Sequence, residues 1–529
     1  MKEKERKDYM KKFISLLLTS ALLLSAAACG TGDQQTNGVA VDPNSPYIAS
    51  EDPLTLSIHL HWQGGKTYDE DSPIFKKATE YTNISLENRA PEASSNSSEA
   101  YDLMVASGEF PDIVAFVDRN RFMEDGMAGA YVPLDDLIEQ YAPNIKAFFE
   151  KYPDAKKAAT APDGHIYGIS NYPDQDVKVG MAWFLRLDWV EKLGLEIPQT
   201  KDELHDVLKA FAEQDPNGNG QKDEVPFYSR GKSPSGLLPL WGAQENFYVD
   251  NGVVKYGPVQ PEFKEAMKEI QQWYIEGLID KELFSRDANV RDVLMNNDLG
   301  GCTSDWISST SAYNDLLKDK IPGFDFSPIE PPATEDGRRL FYFSRDIVSE
   351  FGWGISQTNK YPVETIKYFD FWFSPEGSRL MNFGIEGEDY TIVDGQPTYT
   401  EQALNSGVPL LSYMEGRGAL CQGVGFPMSF EYERQAMSES GRAGIELYQS
   451  KNYIGTSNLP PLNYKDDEQE RLNQIKGDIT TYFYEVYQKW TMGDGNIDAE
   501  WDGFVDQINK LGLNEALEIQ QAAYERFVK

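Results

Sequence analysis

Residues 182–227 read AWFLRLDWVEKLGLEIPQTKDELHDVLKAFAEQDPNGNGQKDEVPF. Ala182 to Leu185 is a short apolar run of strand type. Asp188 to Leu193 follows as a helix that Gly194 stops. Thr200 is a good N-cap, and Glu203 three residues on completes a capping box that opens a helix to Phe211. That helix runs straight into Asp215-Pro-Asn217-Gly-Asn219-Gly220-Gln221-Lys-Asp223-Glu224. The loop has oxygen-bearing side chains at every second position and Gly at the sixth, which lets a tight turn wrap a hard cation that needs about six to eight oxygens. Its first half matches an EF-hand loop. Its second half does not, because the twelfth position is Pro226 rather than Glu. Asp215, Asn217, Asn219, Asp223 and Glu224 are the expected calcium ligands, with Gln221 giving its backbone carbonyl. A plain polar Asn-Gly turn is the alternative. A calcium ion here is structural: it pins a helix end and leaves little room for a substrate.

Outward from this stretch, strands and helices keep interchanging. LTLSIHLHW, from Leu54 to Trp62, alternates apolar and polar residues as a strand does. Asp112 to Phe116 and His165 to Ile169 read as strands. Ser72 to Thr82, Leu134 to Gln140, Glu262 to Gly277, Pro362 to Phe373, Glu468 to Trp490 and Glu515 to Phe527 read as helices. Such alternation points to α/β units with mainly parallel sheets. The 529 residues exceed one ordinary core and suit two lobes.

The N-terminus reads as an export signal. Lys2, Lys4, Arg6, Lys7, Lys11 and Lys12 form a basic head, Phe13 to Leu24 is almost wholly apolar, and Ser25 to Ala28 are small. Cys29 follows at once and resembles a lipobox cysteine, with Ala26 where a leucine is usual. The expectation is a lipoprotein signal peptide over 1–28, a lipid on Cys29 and a flexible linker over 29–50, rich in Gly, Asn, Asp and Ser. An ordinary signal cut near Ala28, with Cys29 incidental, is the alternative. No later apolar run reaches the length of a membrane span. The net charge of −36 argues against nucleic acid as a partner. Besides Cys29 the cysteines are Cys302 and Cys421, whose pairing spacing alone leaves open.

From Arg186-Leu-Asp188-Trp189 through Gly194, Pro198 and Thr200 to DPNGNGQKDEVPF, the chain resembles the extracellular solute-binding lipoproteins (family 1 type) of carbohydrate ABC transporters. It is similar in particular to the large Gram-positive lipoproteins related to alginate-oligosaccharide-binding proteins. ASGEFPDIV (106–114), YVPLDDLI (131–138), DGHIYGIS (163–170), WYIEGLIDKELF (273–284), FWFSPEGSRLMNFGIEGEDY (371–390) and EWDGFVDQINKLGLNEAL (500–517) fit in order. The resemblance implies a two-lobed, periplasmic-binding-protein-like α/β fold of type II, with a hinge between the lobes and a ligand cleft at their interface. Lobe one is expected over 51–170 and 333–385, and lobe two over 171–332 and 386–529. The implied partners are an oligosaccharide and the permease subunits of an ABC transporter. The implied place is the extracellular face of the membrane of a Gram-positive bacterium, as a lipid-anchored monomer.

A sugar ring offers an apolar C–H face and a rim of hydroxyls, so its cleft needs flat aromatics and a few placed polar groups. Trp62, Trp183, Trp241, Trp306 and Trp353 lie at strand ends or in loops, and each is either a cleft or a core residue. For Trp306 the resemblance also implies a stacking aromatic. Asp118 and Arg119, just beyond a strand, bind sugar hydroxyls or form a surface ion pair. Arg186 binds ligand or bridges the Asp188 turn.

A secreted glycosidase or lyase is the competing reading, and a peptide-binding or surface-adhesion protein is a third. The four histidines and the absence of HExxH, GxSxG or P-loop patterns favour no enzyme. His59 and His61 alternate on one strand face and are a minor metal candidate.

Overall fold

The computed structural model describes residues 41–529 apart from 63–65, 93–95, 287–288, 409, 454 and 456–457. The expected signal peptide and Cys29 lie outside the described residues. Two sheets organise the rest. Taken in chain order, the strands of these two sheets are β1 (Leu54–His59), β2 (Ile84–Asn88), β3 (Ile113–Phe116), β4 (Gly168–Ser170), β5 (Met181–Arg186), β6 (Val225–Phe227), β7 (Gly300–Trp306), β8 (Phe326–Ile329) and β9 (Gly352–Ile355). The first sheet has the order β2-β1-β3-β9-β4 and the second β8-β5-β7-β6.

The expected helices form. Ser72 and Thr200 cap the helices Pro73–Thr82 and Lys201–Glu213, the latter with the full capping box. The sheets are mixed rather than mainly parallel. β1 runs parallel to β2 and β3, and β6 parallel to β7, but β9 opposes β3 and β4, and β5 opposes β7 and β8. The reason lies in the connections: β5 and β9 each enter their sheet directly from a segment that crosses between the two cores.

One core gathers buried residues from Ala49 to Tyr172 and from Val348 to Tyr432. The other gathers Val179 to Phe341 and Phe430 to Ala516. The chain therefore crosses three times, around 173–178, 342–347 and 427–437. Backbone bonds tie the crossings together: Ser349 N donates to Asn171 O (3.0 Å), Arg345 N to Lys178 O (2.9 Å) and Met428 N to Tyr172 O (2.8 Å).

The expected lobe limits shift accordingly. The first crossing lies within a few residues of expectation and the second about ten later. The third differs most: Tyr390, Tyr399, Met414, Leu420 and Phe426, expected in lobe two, are buried in the first core. The linker also ends sooner than residue 50. Ala49 is buried, its N–H bonds Thr82 O, and Tyr47 packs edge-on against Phe371 at 5.5 Å. Cys302 and Cys421 are free, buried thiols, one in each core.

Candidate functional site

In α/β sheets a ligand crevice forms beyond the carboxyl ends of the strands. Here those ends face the crossings in both sheets. β3 ends beside the start of β9, which a crossing feeds, β1 ends on the same side of the sheet, and β4 ends where the first crossing begins. β7 ends opposite Met181, where that crossing enters the second sheet. The two carboxyl edges thus look toward a common cleft with the hinge at its base.

The first edge is closed. His59, His61 and Trp62 are 3%, 2% and 6% exposed. His61 Nδ1 lies 3.0 Å from Ser97 Oγ, and burial lowers the His59 pKa to about 4. Trp62 carries the Lys66 ammonium 4.6 Å over its ring and lines a cavity of about 530 Å³ with Tyr68, Ser72, Ser412 and Cys421. Asp118 is exposed and caps the next helix by accepting from Arg121 N (3.0 Å).

Arg119 is not in a surface ion pair. It is 2% exposed and donates to Ala158 O (2.5 Å) and to Asn463 Oδ1 (2.7 Å), a residue just ahead of a helix of the second core. It is therefore a cross-tie between the two cores, with both bonds committed to protein.

The second edge is open and charged. Asp305, buried near the end of β7, accepts from Arg230 Nε (2.8 Å) and Nη2 (2.5 Å), from Arg291 Nη1 (3.1 Å) and from its neighbour Trp306 N (2.8 Å). Four donors saturate the carboxylate, so the arginines, not the aspartate, keep groups to offer. Trp306, at 37%, is the only exposed tryptophan among the described residues. Its other side rests edge-on against Phe343 (5.1 Å), with the Arg345 guanidinium 5.5 Å from its ring.

Three expected ligand residues are core residues instead. Trp183 is fully buried in the second core, where side chains pack from both faces of a central strand. Trp353 is fully buried in the first, stacked on Phe369 at 4.3 Å. Arg186 is fully buried, paired in bidentate fashion with Asp188 (2.8 and 2.6 Å) and held between Trp189 and Phe324. A further ion pair joins it to Asp298 at 2.6 Å. Trp241 is half-buried, and its ring packs against Trp273 at 5.6 Å with the Lys201 ammonium 5.4 Å away.

The loop 215–224 folds as its residues demand. Asp215 adopts φ 50°, and Gly218 and Gly220 adopt 76° and 81°. The Asp215 carboxylate accepts from the N–H groups of Gly218 (2.9 Å), Asn219 (3.1 Å) and Gly220 (2.9 Å). Asn219 Nδ2 donates to Asp223 Oδ1 (3.0 Å), and Asn217 Nδ2 to Asp298 O (3.1 Å).

Among the described residues no three acidic, histidine or cysteine side chains gather around one point. The donor set nevertheless fits a hard cation. Glu224 Oε2 is buried without a partner, and burial, then repulsion from Asp215 and Asp223, raises the Glu224 pKa. A cation would satisfy the orphaned oxygen and relieve that repulsion together.

Sequence reading missed Arg230, Asp305, Arg291, Phe343 and Arg345. Position alone marked two of them: Asp305 precedes the singled-out Trp306, and Arg230 lies three residues beyond a strand.

The bacterial extracellular solute-binding protein family model matches residues 56–379. A fructooligosaccharide ABC transporter substrate-binding protein, FusA of Streptococcus pneumoniae serotype 4, is 30% identical over 465 residues, covering 82% of this chain and 83% of that protein. The polygalacturonan/rhamnogalacturonan-binding protein YtcQ of Bacillus subtilis is 24% identical, covering 97% of this chain and 99% of that protein. The crystal structure of the alginate-binding protein AlgQ2 without calcium ion superposes with a TM-score of 0.81 at 39% identity, covering 91% of this chain and all of that one.

Proposed function

The chain belongs to the bacterial extracellular solute-binding proteins, and from that premise we propose that it captures an oligosaccharide between its two lobes and delivers it to an ABC transporter permease. The single observation that carries the sugar reading is Trp306, a tryptophan left open at the carboxyl edge of the second sheet beside the Arg230–Asp305 pair. A pyranose or furanose stacks its C–H face on such a ring, while remaining guanidinium N–H groups donate to its hydroxyls. The exposed Asp118 receives the other end of the sugar from lobe one, whereas Trp62 stays buried behind the closed edge. Closure is a hinge motion at the three crossings, stabilised by contacts to both lobes. The protein does no chemistry on the sugar.

Around this core stand two further parts of the reading. Asp215, Asn217, Asn219, Gln221, Asp223 and Glu224 hold a structural calcium ion, supported by the orphaned Glu224 oxygen. The ion would supply charge neutralisation at the end of the helix Lys201–Glu213. Cys29 carries a diacylglyceryl anchor that keeps the lobes on the extracellular face of the membrane.

The test is calorimetry of the mature chain against kestose, trigalacturonate and an alginate trisaccharide. Saturable binding of at least one, with no cleavage products, is expected. No binding to any of them, or turnover, would overturn the reading. Mass spectrometry of the native N-terminus tests the lipid.

A further inference from the structure

The exposed tryptophan does not sit on an ordinary loop. Its buried side packs against the first two crossings and is linked to the third through Arg345. Gly180, just past the first, lies so close that a Cβ there would come within 3.0 Å of Trp306 Cζ3 and 2.9 Å of Phe343 Cε1. Ile307 N, next to Trp306, donates to Gly180 O at 2.9 Å. The second crossing supplies Phe343 and Arg345. The third supplies Glu433, whose carboxylate takes a bidentate bond from Arg345 Nη1 (2.8 Å) and Nη2 (2.6 Å), both side chains being 9% exposed.

Arg345 uses every edge it has. Nε donates to Val179 O (2.8 Å), just past the first crossing, and its backbone N–H to Lys178 O within it. Its Cζ lies 5.5 Å from the centre of the Trp306 ring and 5.4 Å from that of Phe430. A planar fork that pairs with a carboxylate and stacks on aromatics is a role lysine cannot fill. The Glu433 pair neutralises the charge, so the arginine is left as a rigid spacer between hinge and platform.

We infer that Arg345 is a positioning residue for ligand capture: it fixes the Trp306 ring to the hinge, so that stacking of a sugar and closure of the lobes are coupled. The inference rests on Trp306 being the sugar platform. When the lobes rotate about the crossings, Trp306 is carried by the residues that rotate, and a ligand on its open face acts on them directly. Arg345 itself touches no ligand.

A double-mutant cycle separates this role from a merely structural one. Affinity is measured by calorimetry, for whichever of kestose, trigalacturonate or the alginate trisaccharide binds, in the wild type, Arg345→Met, Trp306→Ala and the double variant. Arg345→Met is expected to weaken binding about tenfold in the wild-type background and less than about twofold when Trp306 is already alanine. Equal losses in both backgrounds would overturn the inference. Arg345→Lys should not rescue.

A second readout needs no ligand. With 5-fluorotryptophan in the protein, the Trp306 fluorine resonance, assigned by its loss in Trp306→Phe, should shift and broaden in Arg345→Met while the other tryptophan resonances stay. An unmoved Trp306 resonance would overturn the inference. If Arg345→Met fails to fold, Glu433→Gln and Gly180→Ala disturb the same cluster and are read the same way. A wild-type chain that binds no sugar overturns the proposed function, and the fluorine signal still decides whether Arg345 positions the Trp306 ring.

Discussion

The two carboxyl edges obey one topological rule and are finished in opposite ways. At the first, β1 runs on into His59, His61 and Trp62, all nearly buried. At the second, β7 ends in a saturated aspartate and an open tryptophan. A strand end facing a cleft is therefore not yet a ligand site. What decides is whether the neighbouring chain covers it. The first edge is covered by the segment around 412–421, which the third crossing's late position keeps in the first core. The second is braced from behind by the hinge and left open in front.

The largest effect that would sharpen this contrast belongs to a buried aromatic. Trp353→Ala should cost about 3–5 kcal/mol of stability, as for other large core truncations, read by urea unfolding. A loss below about 1 kcal/mol would place Trp353 outside the packed core.

Next comes the buried histidine of the first edge. Unfolded His59 takes up a proton below its ordinary value near 6.5, whereas burial holds the folded group neutral down to about pH 4. Its contribution is thus present above pH 6.5 and is lost as pH falls toward 4. The stability–pH slope in that window should flatten in His59→Gln. An unchanged slope would mean that the first edge is as wet as the second.

At the open edge, Trp306→Ala should weaken sugar binding by about 2 kcal/mol, roughly thirtyfold, as hot-spot truncations do, with little change in stability. Trp62→Ala should show the reverse balance, and equal affinity losses at both would erase the contrast.

The smallest effect lies away from both edges. Calcium at about ten times its dissociation constant should stabilise the fold by roughly 1.4 kcal/mol, seen as a thermal shift that EDTA reverses and Asp215→Ala abolishes. No shift would leave 215–224 a polar turn.

Much of this was legible in the chain. Local signals held: Thr200 with Glu203 made its capping box, and the oxygen spacing of 215–224 made a left-handed, Asp215-centred loop. The α/β alternation was legible, but not the strand directions, which depend on where the hinge feeds each sheet. The tryptophans show the limit most plainly. Trp183 and Trp306 lie on adjacent strands, with Trp183 opposite Ser304 and Trp306 opposite Met181, yet one is fully buried and the other exposed. No local pattern carries that difference, because it is set by what packs over each strand end. Arg345 was invisible for the same reason: its partners Val179, Trp306 and Glu433 are scattered through the chain.

The most direct test of capture between lobes is small-angle scattering of the mature chain, with and without a saturating sugar identified by calorimetry. Capture between the lobes predicts a smaller radius of gyration in the bound state, as rotation at the three crossings brings the two edges together. An unchanged radius with the sugar fully bound would contradict it.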